Sequence, residues 1–293
     1  MKIVFIGAVV FSASALHELI AMGADVVGVC TLSNSSFNAD HQDLAPIAQA
    51  AAIPVCPVTD VNSQEGIDWI HRRSPDVIFC FGWSRLIREP LLSLPKLGVI
   101  GFHPAALPAN RGRHPIIWAL VLGLSQTAST FFKMDQGADS GDIVSQVMLD
   151  IRPSDDAHSL YQRITKVALT QLHEFVPQLA NGSVQLMPQT HRLANSWRKR
   201  GSVDGCIDWR MAATSIHNLV RGLTRPYVGA HFDHEDQMIK VWQTEIVTDV
   251  PYNLEPGKVL EVADTFLLVK AGIGAIKLVE YSPKLLILPG SYL

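Results

Sequence analysis

Short apolar runs alternate with segments of helical periodicity through residues 2–81, and this alternation limits the fold more than any other feature of the chain. Lys2 to Ile6 is a strand-like run ending at Gly7, after which Phe11, Ala15, Leu16, Leu19 and Ile20 recur at helical spacing. The order continues with a strand at Asp25–Thr31, a helix at Asp43–Ala52, a strand at Ile53–Val58, a helix at Ser63–Arg73 and a buried strand at Asp76–Phe81. Strands separated by helices cannot pair as hairpins, so the pattern predicts an α/β fold with a doubly wound, mostly parallel sheet. Ligands then bind beyond the carboxyl ends of its strands. A dinucleotide site is not indicated, because Gly7 is followed by Ala8 and Val9, without the further glycines that let a pyrophosphate approach the backbone.

The chemistry concentrates between Val99 and Gln146. An apolar run ends in Gly101-Phe102-His103-Pro104, which delivers a histidine to the carboxyl end of a strand, with Gly101 and His103 on one face. Leu107-Pro108 and Arg111-Gly112-Arg113 have the composition of an exposed loop, and Pro115 to Leu122 reads as an apolar helix with proline in its first turn. A second strand, Ser129 to Met134, leads into Asp135, Gly137, Asp139, Ser140, Gly141 and Asp142. A histidine and a carboxylate meeting from such loops suit proton transfer. Asp135 and Asp142 read as loop and capping residues, and His114 as a further candidate beside the Arg-Gly-Arg loop.

His103, Leu107-Pro108, Arg111-Gly112, Pro115, Trp118-Ala119, Thr130, Met134-Asp135, Gly137, Asp139 and Gly141-Asp142, in this order, resemble the signature of the 10-formyltetrahydrofolate-dependent formyltransferases. Within them the chain is most similar to the branch of methionyl-tRNA and sugar N-formyltransferases, and the GFHPAALPANRGRHPIIWALVLGL stretch resembles enzymes of pseudaminic-type glycan pathways. The resemblance implies 10-formyltetrahydrofolate as cofactor, held by Phe81, Gly82, Trp83, Ser84, Arg85, Leu86 and Ile87, and catalysis by His103 and Asp139. The family pattern has asparagine where this chain has Gly101, so one donor to a developing oxyanion is absent, an effect typically of a few kcal/mol. Three readings follow, in order of preference. A water fills the space left by the side chain, Ser84 or Asn110 supplies the donor, or the chain is a catalytically silent folate-binding homologue.

After Met187 the pattern changes. Asp155–Leu179 reads as a long helix capped by Asp155 or Asp156, and Gln189–Asp204 is polar, basic and aperiodic. A helix at Trp209–Leu223 precedes short strands at Val228–Phe232, Met238–Thr244, Gly257–Val262, Thr265–Lys270 and Ala275–Glu280, as in a small β-barrel. The phrases RPYVGAHF and PGKVLEVADTFLLVKAGIGAIKLVEY resemble the carboxyl-terminal barrel of the same branch. The expected organisation is a catalytic domain over 1–189, a linker over 190–205 and an OB-like β-barrel over 206–293.

Charge bears on the acceptor. The net charge is −3, and no Lys or Arg occurs from Ile3 through His71. The resemblance places a basic, tRNA-reaching insertion after the second strand in the tRNA enzymes, but Leu32 to Gln42 carries no cation, so tRNA is disfavoured. The expected substrate is a nucleotide-linked amino sugar, with Arg111, Arg113 and Lys133 as candidate diphosphate contacts. The barrel is then expected to serve homodimerisation or substrate binding. Cys30, Cys56, Cys80 and Cys206 form no C-x-x-C pair, so neither a metal site nor a disulfide framework is indicated, and the first three read as buried thiols. MKIVFIG enters a strand directly rather than as a signal peptide, and no apolar run reaches the ~20 residues of a membrane span, so a reducing cytoplasm is expected.

Overall fold

The computed structural model describes residues 1–34 and 39–293; of the polar loop from Leu32 to Gln42, residues 35–38 lie outside the described residues. The chain forms two compact units. The first comprises Met1–Pro115, Thr127–Leu149 and Gln162–Trp197, and the second Ile116–Gln126, Asp150–Tyr161 and Arg198–Leu293.

In chain order the elements begin with β1 (Lys2–Ile6), α1 (Val10–Ala21), β2 (Asp25–Cys30), α2 (Ala45–Ala50), β3 (Val55–Cys56), α3 (Gln64–His71), β4 (Val77–Cys80) and β5 (Val99–His103). They continue with β6 (Arg111–Gly112), α4 (Pro115–Val121), β7 (Gln126–Lys133), β8 (Ile143–Asp150), α5 (Ala157–Asn181) and β9 (Ser196–Trp197). Asp156 caps α5 by accepting from the Ser159 N–H at 2.8 Å. The first unit is built on a seven-stranded sheet in the order β3-β2-β1-β4-β5-β7-β8. The pairs from β3 through β5 are parallel, and β7 runs antiparallel to β5, with Thr130 opposite His103. All of β4 is buried, as expected of a central strand covered on both faces. Phe81, which leaves β4, is fully buried among Phe5, Phe79 and Phe131, with ring centroids 5.2 to 5.5 Å away.

The second unit contains α6 (Ala213–Leu223), β10 (Ala230–His234), β11 (Gln237–Val247), β12 (Val259–Val262), β13 (Leu267–Lys270) and β14 (Ala275–Ser282). Its five strands form one antiparallel sheet in the order β10-β11-β14-β13-β12. Ile216, Leu219, Val220 and Leu223 of α6 recur at helical spacing and share a core with Phe232, Ile239, Val241, Val259, Val269 and Ile276. The long strand β11 shifts register twice around Gln243, which increases local twist. Among the described residues no helix is long and apolar enough to cross a membrane, and no group of three or more His, Cys, Asp and Glu could hold a metal ion.

Candidate active site

His103 is the last residue of β5 and is 5% exposed. Its Nε2 lies 2.8 Å from the carbonyl of Asn110. A carbonyl can only accept, so Nε2 carries the hydrogen, and in the neutral ring the lone pair sits on Nδ1. Nδ1 faces Asp139 Oδ2 at 3.6 Å, which is too long for a direct hydrogen bond. Two acceptors therefore face the same side of the site without bonding each other, an arrangement that suits an N–H donor lying against both.

Asp139 is fixed from two sides. The Gly112 N–H donates to its Oδ2 at 2.8 Å, and its own carbonyl accepts from Gln189 Nε2 at 2.9 Å. Gln189 Nε2 also donates to the Gly141 carbonyl at 2.7 Å, and Gln189 Oε1 accepts from Arg111 Nη2 at 2.6 Å. Asp139, Asn110 and His114 all adopt positive φ, at +54°, +66° and +56°, so strained backbone clusters at this site. Gly112 has φ +103°, and a Cβ there would stand 2.3 Å from the Trp197 carbonyl, so glycine is required where β6 pairs with β9.

Gly101 pairs with Cys80 on one side and Phe132 on the other. A Cβ on Gly101 would lie 2.7 Å from Met134 Cε and 3.0 Å from the Phe132 ring. Protein therefore fills the space beside the glycine, and the expected water meets a thioether methyl there instead. Asn110 is close to His103 through its backbone carbonyl, and Ser84 reaches the same loop through its carbonyl, which accepts from Arg113 at 3.3 Å.

Two expected phosphate contacts are corrected. Arg111 is buried, and its guanidinium donates to Gln189 and to His191 Nδ1 at 3.1 Å, so its charge ties loops together instead of facing a ligand. Lys133 pairs with Ile100 whereas Thr130 pairs with His103, which puts it about 10 Å along the strand from the histidine. Its chain lies over Gly98, at the opposite end of β5. Arg113 remains half-buried beside Ser84.

The loop at the end of β4 is pinned at both ends. Phe81 and Ile87 are buried anchors, so what they offer a ligand is backbone, the kind of contact the resemblance implies for this loop. The Phe81 carbonyl accepts from Ser12 Oγ at 2.5 Å, and Gly82, with φ +68°, leaves no room for a Cβ against Val9. Arg85 donates to the Thr59 carbonyl at 2.9 Å, and Asn62 Nδ2 donates to the Leu86 carbonyl at 3.0 Å. The half-buried Trp83 packs against the apolar cluster of Ile6, Cys30, Ile78 and Leu91 with its indole N–H buried and without a protein acceptor, whereas Leu86 is 63% exposed.

Gln189, His191, Asn195 and Trp197 were not singled out by sequence reasoning. They lie in polar, aperiodic sequence, and only an Arg-rich loop needing acceptors could have pointed to them. Asn195 Oδ1 accepts from the Asn110 N–H at 2.7 Å, so this segment holds the residue that orients His103.

The formyl transferase family matches residues 1–176, and the formyl transferase C-terminal domain matches residues 201–285. The chain is 31% identical over 284 residues to a methionyl-tRNA formyltransferase of Desulforamulus reducens, covering 96% of this chain and 89% of that protein. Among solved structures it resembles the sugar 3N-formyl transferase WlaRD, described with dTDP and 5-N-formyl-THF, at TM-score 0.71 and 18% identity, covering 97% of this chain and 99% of that one. It also resembles an N-formyltransferase of Helicobacter canadensis, in complex with folinic acid and dTDP-3-aminofucose, at TM-score 0.72 and 16% identity, covering 95% and 99%. With both parts matched and the His103–Asp139 pair set at the carboxyl end of the sheet, this chain belongs to the formyl transferase family and is an enzyme of formyl transfer.

Proposed function

We propose that the chain transfers a formyl group from 10-formyltetrahydrofolate to the amino group of a nucleotide-linked amino sugar. The donor-binding segment in this reading is the 81–87 loop, through the backbone of Gly82 to Leu86 and the indole of Trp83. The donor supplies an activated formyl group. His103 Nδ1 and Asp139 Oδ2 receive the acceptor amine between them, orient its lone pair, and take up the proton that it must lose. Residues 1–189 carry this chemistry, 190–205 connect, and 206–293 form the carboxyl-terminal domain.

The acceptor is read from charge. Residues 3–71 carry no cation, and in the second unit Arg198, Arg210, Arg225, Lys258 and Lys277 are each paired with a carboxylate. A long polyanion needs many cations at once, whereas a sugar diphosphate needs few, and Arg113, half-buried beside Ser84, is the candidate for one of them. The likeness in sequence, at 31% identity, to a protein named methionyl-tRNA formyltransferase supports tRNA as a second reading.

Release of tetrahydrofolate from 10-formyltetrahydrofolate separates the two, using nucleotide-linked 4-amino-4,6-dideoxysugars and methionyl-tRNA as acceptors. Sugar-dependent release that His103→Ala lowers by about 100-fold or more is the expected result. Release with methionyl-tRNA alone would replace the proposal with the second reading.

A further inference from the structure

Cys30 ends β2 and Cys56 ends β3, and the parallel register sets them opposite one another. Neighbouring strands lie about 4.8 Å apart, within the Cα separation that a disulfide spans. The two thiols lie inside an apolar cluster with Trp69, Ile70 and Ile78. A cation is held beside them. Arg73 passes over Gly28, on the same face as Cys30, with its Cδ 2.6 Å from where a Cβ would stand. Its guanidinium lies 3.1 Å from the centroid of the Trp69 ring and donates to the Trp69 carbonyl at 2.7 Å.

These contacts divide the thiols. The Cys30 thiol donating to Cys56, a backbone hydrogen bond at Val58 and the Arg73 charge together bring Cys56 down to about 7 against its burial. The same pairing, followed by burial, pushes Cys30 up. Cys80 is pushed up to about 12 by burial, and Cys206, exposed in the second unit, is pushed up by partial burial and by the Asp233 and Asp208 charges. Thiolate character, not exposure alone, governs oxidation.

We propose that Cys30 and Cys56 are a peroxide-reactive dithiol that closes to a cross-strand disulfide. The Cys56 thiolate attacks one oxygen of hydrogen peroxide, the O–O bond breaks, and a sulfenic acid forms while the released hydroxide takes a proton to become water. Cys30 sulfur then attacks Cys56 sulfur, the S–O bond breaks, and the leaving hydroxide combines with the Cys30 proton as a second water. Two thiols lose two electrons and the peroxide gains them. β3 is a two-residue edge strand, so a small oxidant has a short approach. The chain leaving Cys56 carries Thr59 and Asn62, which hold Arg85 and Leu86, so closure is felt by the 81–87 loop. The effect on donor binding rests on the reading of that loop given above; the cross-link does not.

The test uses the full chain, treated with hydrogen peroxide, then alkylated and mapped by mass spectrometry. A Cys30–Cys56 linked peptide should form faster than any oxidation of the more exposed Cys206, and dithiothreitol should reverse it. Cys206→Ser should leave it unchanged. Failure of the linked peptide to form, or prior oxidation of Cys206, overturns the dithiol. Affinity for 5-formyltetrahydrofolate is then compared before and after closure, with a several-fold, dithiothreitol-reversible loss expected. An unchanged affinity with the link formed overturns its coupling to the loop, and absence of folate binding in the reduced chain overturns the loop assignment instead.

Discussion

The carbonyl of Asn110 decides which nitrogen of His103 carries a hydrogen, and Asn110 is itself held in a left-handed conformation by Asn195. That places the free nitrogen toward Asp139 without any direct bond between the two, so both acceptors stay open to the amine in the proposed reaction. Gly101 shows the same economy of space. Because Met134 Cε and the Phe132 ring crowd its missing Cβ, Gly101→Asn should destabilise the protein by about 1–3 kcal/mol through overpacking. Adding Met134→Ala should recover most of that loss in a denaturant melt, since the methyl that must move is the end of a flexible side chain. If the double variant proves no more stable than Gly101→Asn alone, Met134 is not what fills the site.

At the scale of elements, the Asp139 loop is positioned by a two-residue strand pair. Gly112→Ala would force Cβ onto the Trp197 carbonyl at a positive φ, part β6 from β9, and shift the backbone N–H that orients Asp139. A loss of about 2–4 kcal/mol together with a fall in kcat is the expected outcome, measured by thermal melting and by tetrahydrofolate release. The second unit has its own pH response. Burial, then the charge of Arg221, lowers the pKa of His217, whose Nδ1 lies 3.0 Å from Thr244 Oγ1. Burial, then the charge of Lys240, lowers that of His231. Both bind protons less readily folded than unfolded, so the stability they contribute is complete above about pH 6.5 and is lost as pH falls through their depressed folded values. Melting temperature should therefore drop between pH 7.5 and 5.5, and His217→Gln should flatten that slope; an unaltered slope would remove His217 from the account.

For the whole molecule, the distribution of charge matters more than its sum. On the amino-sugar reading proposed above, few phosphates are neutralised at once, in keeping with the absence of Lys and Arg from residue 3 to 71 and the pairing of Arg198, Arg225 and Lys277 with carboxylates. The KM for the acceptor should then change only a few-fold between ~50 and ~200 mM salt, whereas a polyanion with 6–10 phosphate contacts would lose about 10³–10⁵ in affinity. A steep salt dependence would favour tRNA.

Much of this was legible in the sequence. The alternation of apolar runs and helical segments determines a mostly parallel sheet, because a strand buried on both faces must be apolar throughout and must be joined by a crossover. The strand ending in His103 and the loop bearing Asp139 were equally readable, since turn formers and period change mark where a chain leaves a sheet. Boundaries were less so: the edge strand β3 keeps only Val55–Cys56 of a longer apolar run. What only the tertiary structure decided were relations between distant segments. Arg111 found Gln189 and His191, Lys133 fell at the opposite end of β5 from His103, Met134 occupied the space beside Gly101, and Cys30 met Cys56. None of these follows from local periodicity, because a side chain's partners are set by strand register and loop closure, which bring together residues that the chain keeps far apart.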